Sequence, residues 1–148
     1  MTWAVVGRVI AAALVLGLAG AALWVRLAPV DAAAWHVDPL TAPDPATPNF
    51  ARIAPGTITG TGLAERAAAA MLAMPRTRLI AGSAAAGWMT FETRSRIVGY
   101  PDYTSIRVLP DPAGGETLAA LARSRFGVSD LGVNAARLAA LRAALAGT

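Results

Sequence analysis

The run WMTFETRSRIVGYPDYTSIRVL, residues 88–109, decides the fold class. Side chains along a strand alternate between its two faces. Over 88–98 the odd positions Met89, Phe91, Thr93, Ser95 and Ile97 form the less polar set, and the even positions are Thr90, Glu92, Arg94 and Arg96. Over 103–109, Ile106 and Val108 oppose Tyr103, Ser105 and Arg107. Gly99 and Pro101 between the two runs read as a turn. A third run precedes them at 76–83. A fourth, TLAALARSRF at 117–126, follows Pro112-Ala113-Gly114-Gly115 and is rich enough in alanine to suit a helix as well.

Helical patterns flank these four strands. Residues 63–74 open after Thr61-Gly62, carry Glu65 in the first turn and stop at Pro75, with Leu63, Ala67, Met71 and Met74 on one stripe. Residues 133–146 set Leu138, Leu141 and Leu145 on another. Helix, four strands, helix predicts an α+β domain over 56–148, a small antiparallel four-stranded sheet with two helices packed on one face.

Upstream, residues 9–25 (VIAAALVLGLAGAALWV) contain no charge. As a helix they rise ~26 Å, close to the ~30 Å of a bilayer core. They predict a transmembrane anchor over 1–30, with membrane lipids as partners. Trp3 and Trp24 belong at the two interfaces, and Arg8 and Arg26 reach headgroups along their aliphatic stems. The rival reading is a cleavable signal peptide, because Ala19-Gly20-Ala21 resembles a small-x-small cleavage site; the apolar run continues beyond it through Trp24 and Val25. Gly17, Gly20 and Ala21 leave room for a second helix, which points to an integral membrane protein as partner. Arg8 and the terminal amine, weighed against Asp31 and Asp38 beyond the span, lean the N-terminus towards the cytoplasm. The domain then stands in the periplasm, on the outer side of the inner membrane. Residues 31–55, with Pro39, Pro43, Pro45, Pro48 and Pro55, read as a semi-extended linker that lifts the domain off the membrane.

Composition removes whole classes of chemistry. The chain has no cysteine and one histidine, His36, so thiolate metal sites, cysteine nucleophiles and multi-histidine centres are not expected within it. It has no lysine to complete a phosphate-binding loop, and no second histidine to serve a Ser–His–Asp triad away from His36. No enzymatic activity, cofactor or metal is therefore expected. All 13 basic residues are arginine, and from Asp31 onward 11 of them face 9 acids, a surplus of two. So small a surplus does not make a nucleic-acid footprint.

If helices cover the apolar face of the sheet, the opposite face collects Arg94, Arg96, Arg107, Arg123 and Arg125 with Glu92 as the counter-charge. That set predicts an anion- or partner-binding surface, since guanidinium groups suit carboxylates and phosphates; the plain alternative is a solvated face of scattered ion pairs. Farther on, Ser129, Asp130, Gly132 and Asn134 read as a helix cap, oxygen acceptors around a helix start with a glycine for an unusual φ. Asp130 is also placed to pair with Arg123 or Arg125, and a bound anion at that helix start is the sharper alternative.

Arg94-Ser95, then Gly99-Tyr100-Pro101-Asp102-Tyr103, then SRFGVSDLGVN (124–134) with Arg137 beyond, together with Thr47-Pro48-Asn49, resemble the family called domain of unknown function 1499 over roughly residues 45–146. Many members carry Cys and Ser after the Pro-Asn, where this chain has Phe50-Ala51-Arg52. The resemblance implies a bacterial envelope or plastid protein and brings no activity. The functional expectation is a single-pass, non-enzymatic membrane protein serving as an accessory or assembly component of a membrane complex. The alternative is a periplasmic binding module for an anionic or amphipathic small molecule or lipid.

Overall fold

In the computed structural model, residues 2–146 are described; Met1 and Gly147-Thr148, the outermost residues of the expected anchor and domain, lie outside them. The alternation in 88–109 produces β4 (Trp88–Arg94) and β5 (Pro101–Pro110), paired antiparallel with Met89 opposite Ile106 and Glu92 opposite Tyr103. Pro101 has no N–H to give and opens its strand, where none is needed. On either side lie β3 (Thr77–Ser83) and β6 (Glu116–Ser124), so the alanine-rich run is strand.

Among the described residues the sheet has six strands, not the expected four. The two additions are β1 (Phe50–Ile53) and β2 (Thr59–Gly60), which both pair antiparallel with β6. The main order is β1-β6-β5-β4-β3. Four helices accompany the sheet: α1 (Trp3–Leu27), the four-residue α2 (Ala32–Trp35), α3 (Leu63–Ala73) and α4 (Val133–Ala146).

α3 and α4 cover one face. Leu63, Ala67 and Met71 from α3 and Leu138, Leu141 and Leu145 from α4 meet Met89, Phe91, Ile106, Leu118, Ala120 and Ala122 of the sheet, and Ile53 of β1 closes the cluster. Each large side chain buried there contributes roughly 1.5–3 kcal/mol. Gly62, left-handed at φ 61°, precedes α3, but Thr61 does not cap the helix. The amide of Leu63 donates instead to the Glu116 carboxylate of β6 at 2.7 Å, which ties the helix start to the sheet.

The opposite face is covered by the chain itself. Residues expected to form a spacer include α2 and β1, and those between them lie against the sheet. The Trp35 ring stacks on Tyr103 at 4.1 Å and His36 on Trp88 at 4.0 Å. The Trp88 indole N–H donates to the carbonyl of Val37 at 3.3 Å, and Ser105 Oγ to that of Trp35 at 3.2 Å. Arg52 reaches across to the carbonyls of Pro39 and Ala42 and pairs with Asp44. Under this strap Thr90, Glu92, Tyr103, Ser105 and Leu121 are buried, although no long helix lies over them.

α1 is long and apolar enough to cross a membrane, and its candidate span has no buried residue until the last turns. Its end is embedded in the domain. Val25 and Ala28 are buried, the Trp24 ring meets Phe126 edge-on at 5.7 Å, and Arg125 donates to the carbonyl of Pro29 at 2.9 Å. The expected linker therefore does not hold the helix off the domain; the last turns of α1 pack against the 95–100 connection and Phe126.

Candidate functional site

The five arginines expected on one open face divide into two groups. Arg123 lies over the Trp35 ring of the strap at 4.6 Å, and Arg107 lies over Trp88, its cross-strand neighbour and the ring on which His36 stacks, at 5.1 Å. Arg125 follows the end of β6, sits over Phe126 at 5.1 Å and holds Pro29. These three secure the chain's own segments, so they do not form the open arginine face expected from alternation.

Arg94 and Arg96 go elsewhere. Arg94 closes β4, and Arg96 lies past it in the 95–100 connection, exposed. Together with Arg26 from the end of α1, Arg76 just before β3 and Arg78 within it, they line a cleft of about 480 Å³, with Thr77, Ser95, Gly99 and Glu92. Five guanidinium groups face one carboxylate. A second hollow of about 540 Å³ adjoins it, sharing Arg26, Arg78 and Arg94 and bounded by Leu27, Ala28 and Ile80.

The local chain explains the gathering. Arg76 holds a left-handed φ of 57°, uncommon for a side chain with a Cβ, and its Nε donates to the carbonyl of Arg94 at 2.9 Å. Glu92 is buried and ion-paired on both sides, with Arg78 Nε at 2.6 Å and Arg94 Nη2 at 2.7 Å. Arg94 Nη1 donates to the carbonyls of Arg26 and Gly99, both at 3.2 Å, and Arg26 donates to those of Val98, at 3.0 Å, and Ile97. Arg26, expected to reach headgroups at the lipid interface, also clamps the 95–100 connection to α1. Gly99 permits that approach: at φ 85° a Cβ there would stand 2.9 Å from Arg26 Cγ. Trp3 and Arg8 remain exposed along α1.

The other sequence candidates meet in a closed polar node. Asp130 receives the amides of Gly132 at 3.1 Å and Asn134 at 2.9 Å, and Ser129 Oγ that of Leu131 at 3.3 Å. Partial burial pushes the Asp130 carboxyl up, but those amides outweigh it and hold the group below its ordinary value. Gly132 is left-handed at φ 81°. Asn134 is fully buried and does more than cap. Its Nδ2 donates to the Asn49 carbonyl at 3.1 Å and Ser124 Oγ at 3.0 Å, and its Oδ1 accepts from Arg137 at 2.5 Å. Arg137 pairs with Asp102 at 2.9 Å. Asp130 is bound to amides, and the expected pairing with Arg123 or Arg125 is not among its contacts. Thr47-Pro48-Asn49, Tyr100-Pro101-Asp102 and the 124–137 block are therefore one interlocked structure, with its polar groups turned inward.

His36 belongs to the strap. Its Nδ1 lies 2.8 Å from Thr90 Oγ1, and burial, with Arg107 adding, holds the imidazole below its ordinary 6.5. A released strap binds more protons than a docked one below that value. The stability supplied by the neutral ring is complete above about pH 6.5 and declines as pH falls through it. Amide-exchange protection of residues 33–37 should drop between about pH 7.5 and 5.5, whereas His36→Phe, which keeps the ring stack, should flatten the response. Protection that is equal at both values would refute this coupling. Burial likewise pushes the Tyr103 phenol above its usual value, against an opposing Arg125 and with Glu92 reinforcing. Among the described residues no three His, Asp or Glu side chains group to hold a metal ion.

A family model described as "Protein of unknown function (DUF1499)" matches residues 35–145, most of the chain and all of the sheet. Comparison with curated proteins and with solved structures gives no match.

Proposed function

The chain belongs to the DUF1499 family, and since that membership brings no activity with it, we propose that the protein is a membrane-anchored binding module for an anionic amphiphile. In this reading it takes the phosphate of a lipid-like headgroup in the arginine cleft at the foot of the domain, without catalysis. The observation that carries the reading is the cleft's composition and position. Arg26, Arg76, Arg78, Arg94 and Arg96 surround one space with only Glu92 against them, beside the last turn of a helix apolar enough to span a bilayer. Fork-shaped guanidinium groups suit the oxygens of a phosphate, and the low dielectric beside a membrane strengthens each contact. The adjoining hollow, with Leu27, Ala28 and Ile80, offers an apolar wall for the start of an acyl chain.

The accessory-subunit role drew on two surfaces, the small-residue face of α1 and an open arginine face; with the second covered by residues of the same chain, the sheet favours binding over docking. α1 is read here as an uncleaved anchor of the inner membrane, with the domain on the periplasmic side. A C-terminal reporter active only outside the cytoplasm, and a mature N-terminus upstream of Ala19, are the expected results.

Binding is tested with the full chain in a neutral detergent, titrated with short-chain phosphatidic acid and, in a parallel arm, inorganic phosphate. The amphiphile should bind more tightly than the free ion. Arg78→Ala and Arg96→Ala, two exposed members of the set, should each weaken it by about tenfold, the worth of one charge-assisted contact. Unchanged affinity in the double variant would remove the cleft from consideration.

A further inference from the structure

Outside α1, the three most exposed large apolar side chains are Leu131 at 94%, Ile97 at 81% and Val128 at 73%. They are not scattered. Ile97 belongs to the 95–100 connection between β4 and β5, and Val128 and Leu131 to the 125–132 connection between β6 and α4. Both connections grip the final turns of α1. Arg26 holds the carbonyls of Ile97 and Val98, Trp24 meets Phe126, and Tyr100 lies 6.1 Å from Phe126. Leu131 is also held at a left-handed φ of 53°, with the amides on either side of Gly132's turn bound to Asp130. Leaving three large apolar side chains exposed in water forfeits the transfer free energy that an apolar surrounding supplies, and lipid would supply it.

The strands give the direction. β4 and β6 end, and β5 begins, at these connections, and β5 then runs ten residues, roughly 33 Å, to the turn at 111–115. That distal turn carries Pro112, Ala113, Gly114 and Gly115 and no large apolar side chain. The apolar tips therefore sit at the anchor end of the domain, and the far end lacks them.

We propose that the 95–100 and 125–132 connections form a collar around the end of α1 that inserts Ile97, Val128 and Leu131 into the bilayer that α1 crosses. Insertion to the headgroup–acyl boundary, roughly 5–10 Å, fits side chains on short loops flanked by arginine. Arg96, exposed next to Ile97, stands beside the tips to meet phosphates, and the Trp24, Phe126 and Tyr100 rings lie at the depth where aromatic side chains collect. The domain then lies on the lipid surface, and the arginine cleft opens at headgroup level. The proposal rests on the anchor reading of α1 but not on ligand binding by the cleft.

The absence of cysteine allows a clean test. Leu131→Cys, Ile97→Cys, Ala113→Cys and Leu16→Cys are labelled singly with an environment-sensitive fluorophore in the full chain. The protein is reconstituted into vesicles of phosphatidylethanolamine and phosphatidylglycerol containing nitroxide-bearing lipids. Labels at 131 and 97 should shift to the blue and be quenched by headgroup-proximal nitroxides, that at 16 by deep ones, and that at 113 by neither. If 16 is quenched while 131 and 97 behave like 113, the collar is wrong and the anchor stands. If 16 is not quenched, the anchor fails and the collar falls with it.

Discussion

Replacing Arg137 with methionine should destabilise the domain by about 3–5 kcal/mol, the cost of leaving one member of a buried ion pair without its partner. The side chains of Arg137 and Asp102 are 8% and 11% exposed and meet at 2.9 Å. Methionine occupies much of the same volume, so packing is largely kept and the loss isolates the charge. The Asp102 carboxylate would be stranded, and Asn134 Oδ1 would lose the guanidinium it accepts from. Because Asn134 also holds the Asn49 carbonyl and Ser124, and Asn49 Nδ2 in turn holds the Gly127 carbonyl at 2.7 Å, the damage should spread to the start of β1 and the end of β6. Against a total of about 5–15 kcal/mol, this is a large fraction. Urea titration followed by tryptophan fluorescence reads it. The paired change Arg137→Met with Asp102→Leu should recover most of the loss, because an apolar pair of similar size needs no counter-charge. A single variant that loses less than about 1 kcal/mol, the range of an exposed pair, would mean that water reaches the node.

That node shows where reading the chain by local pattern succeeds and where it stops. Residues 133–146 are helix as their leucine spacing requires, and Leu138, Leu141 and Leu145 are buried. Alternation in 88–109 correctly sends Met89, Phe91 and Ile106 to the helix-covered face. Patterns of period two or 3.6 need several residues to register, and β1 and β2 have four and two. Both lie near prolines that read as loop, and only pairing with β6 makes them strands. The same limit applies to the site. Alternation places Arg94, Arg107 and Arg123 with Glu92 on one face, but the strap that returns over it has no period to betray it. The available signal was aromatic: Trp35, His36 and Trp88 have no reason to surround a solvated arginine face. Arg76 and Arg78 were missed because an edge strand's first residues join the cleft only through a left-handed turn at Arg76. Arg26's hold on the carbonyls of Ile97 and Val98 is not legible either, since a cation ending an apolar helix looks alike whether it faces phosphate or a loop carbonyl.

The second large effect concerns Arg94, which joins three things at once. Its Nη2 lies 2.7 Å from buried Glu92, and its Nη1 serves the carbonyls of Arg26 and Gly99. It therefore balances a charge in the sheet, satisfies a carbonyl at the negative end of α1, and pins the 95–100 connection. Arg94→Met should cost about 3 kcal/mol, at the low end of the range for a broken buried pair because Arg78 stays on the other carboxylate oxygen. Arg78 is itself 62% exposed, so Arg78→Ala should cost no more than about 1 kcal/mol. The contrast between two arginines on one glutamate is the discriminating result. Stability alone would not separate charge balance from the hold on α1, and hydrogen exchange does. Arg94→Met should deprotect residues 95–100 in native buffer at denaturant concentrations that leave β5 and β6 protected. Arg94→Lys, which keeps the charge but cannot span carboxylate and carbonyls together, should retain much of the stability and still loosen that connection. If the lysine variant protects 95–100 as well as arginine does, the other contacts of the helix end, Arg26, Trp24–Phe126 and buried Val25 among them, hold it, and the guanidinium fork has no part in joining anchor to sheet.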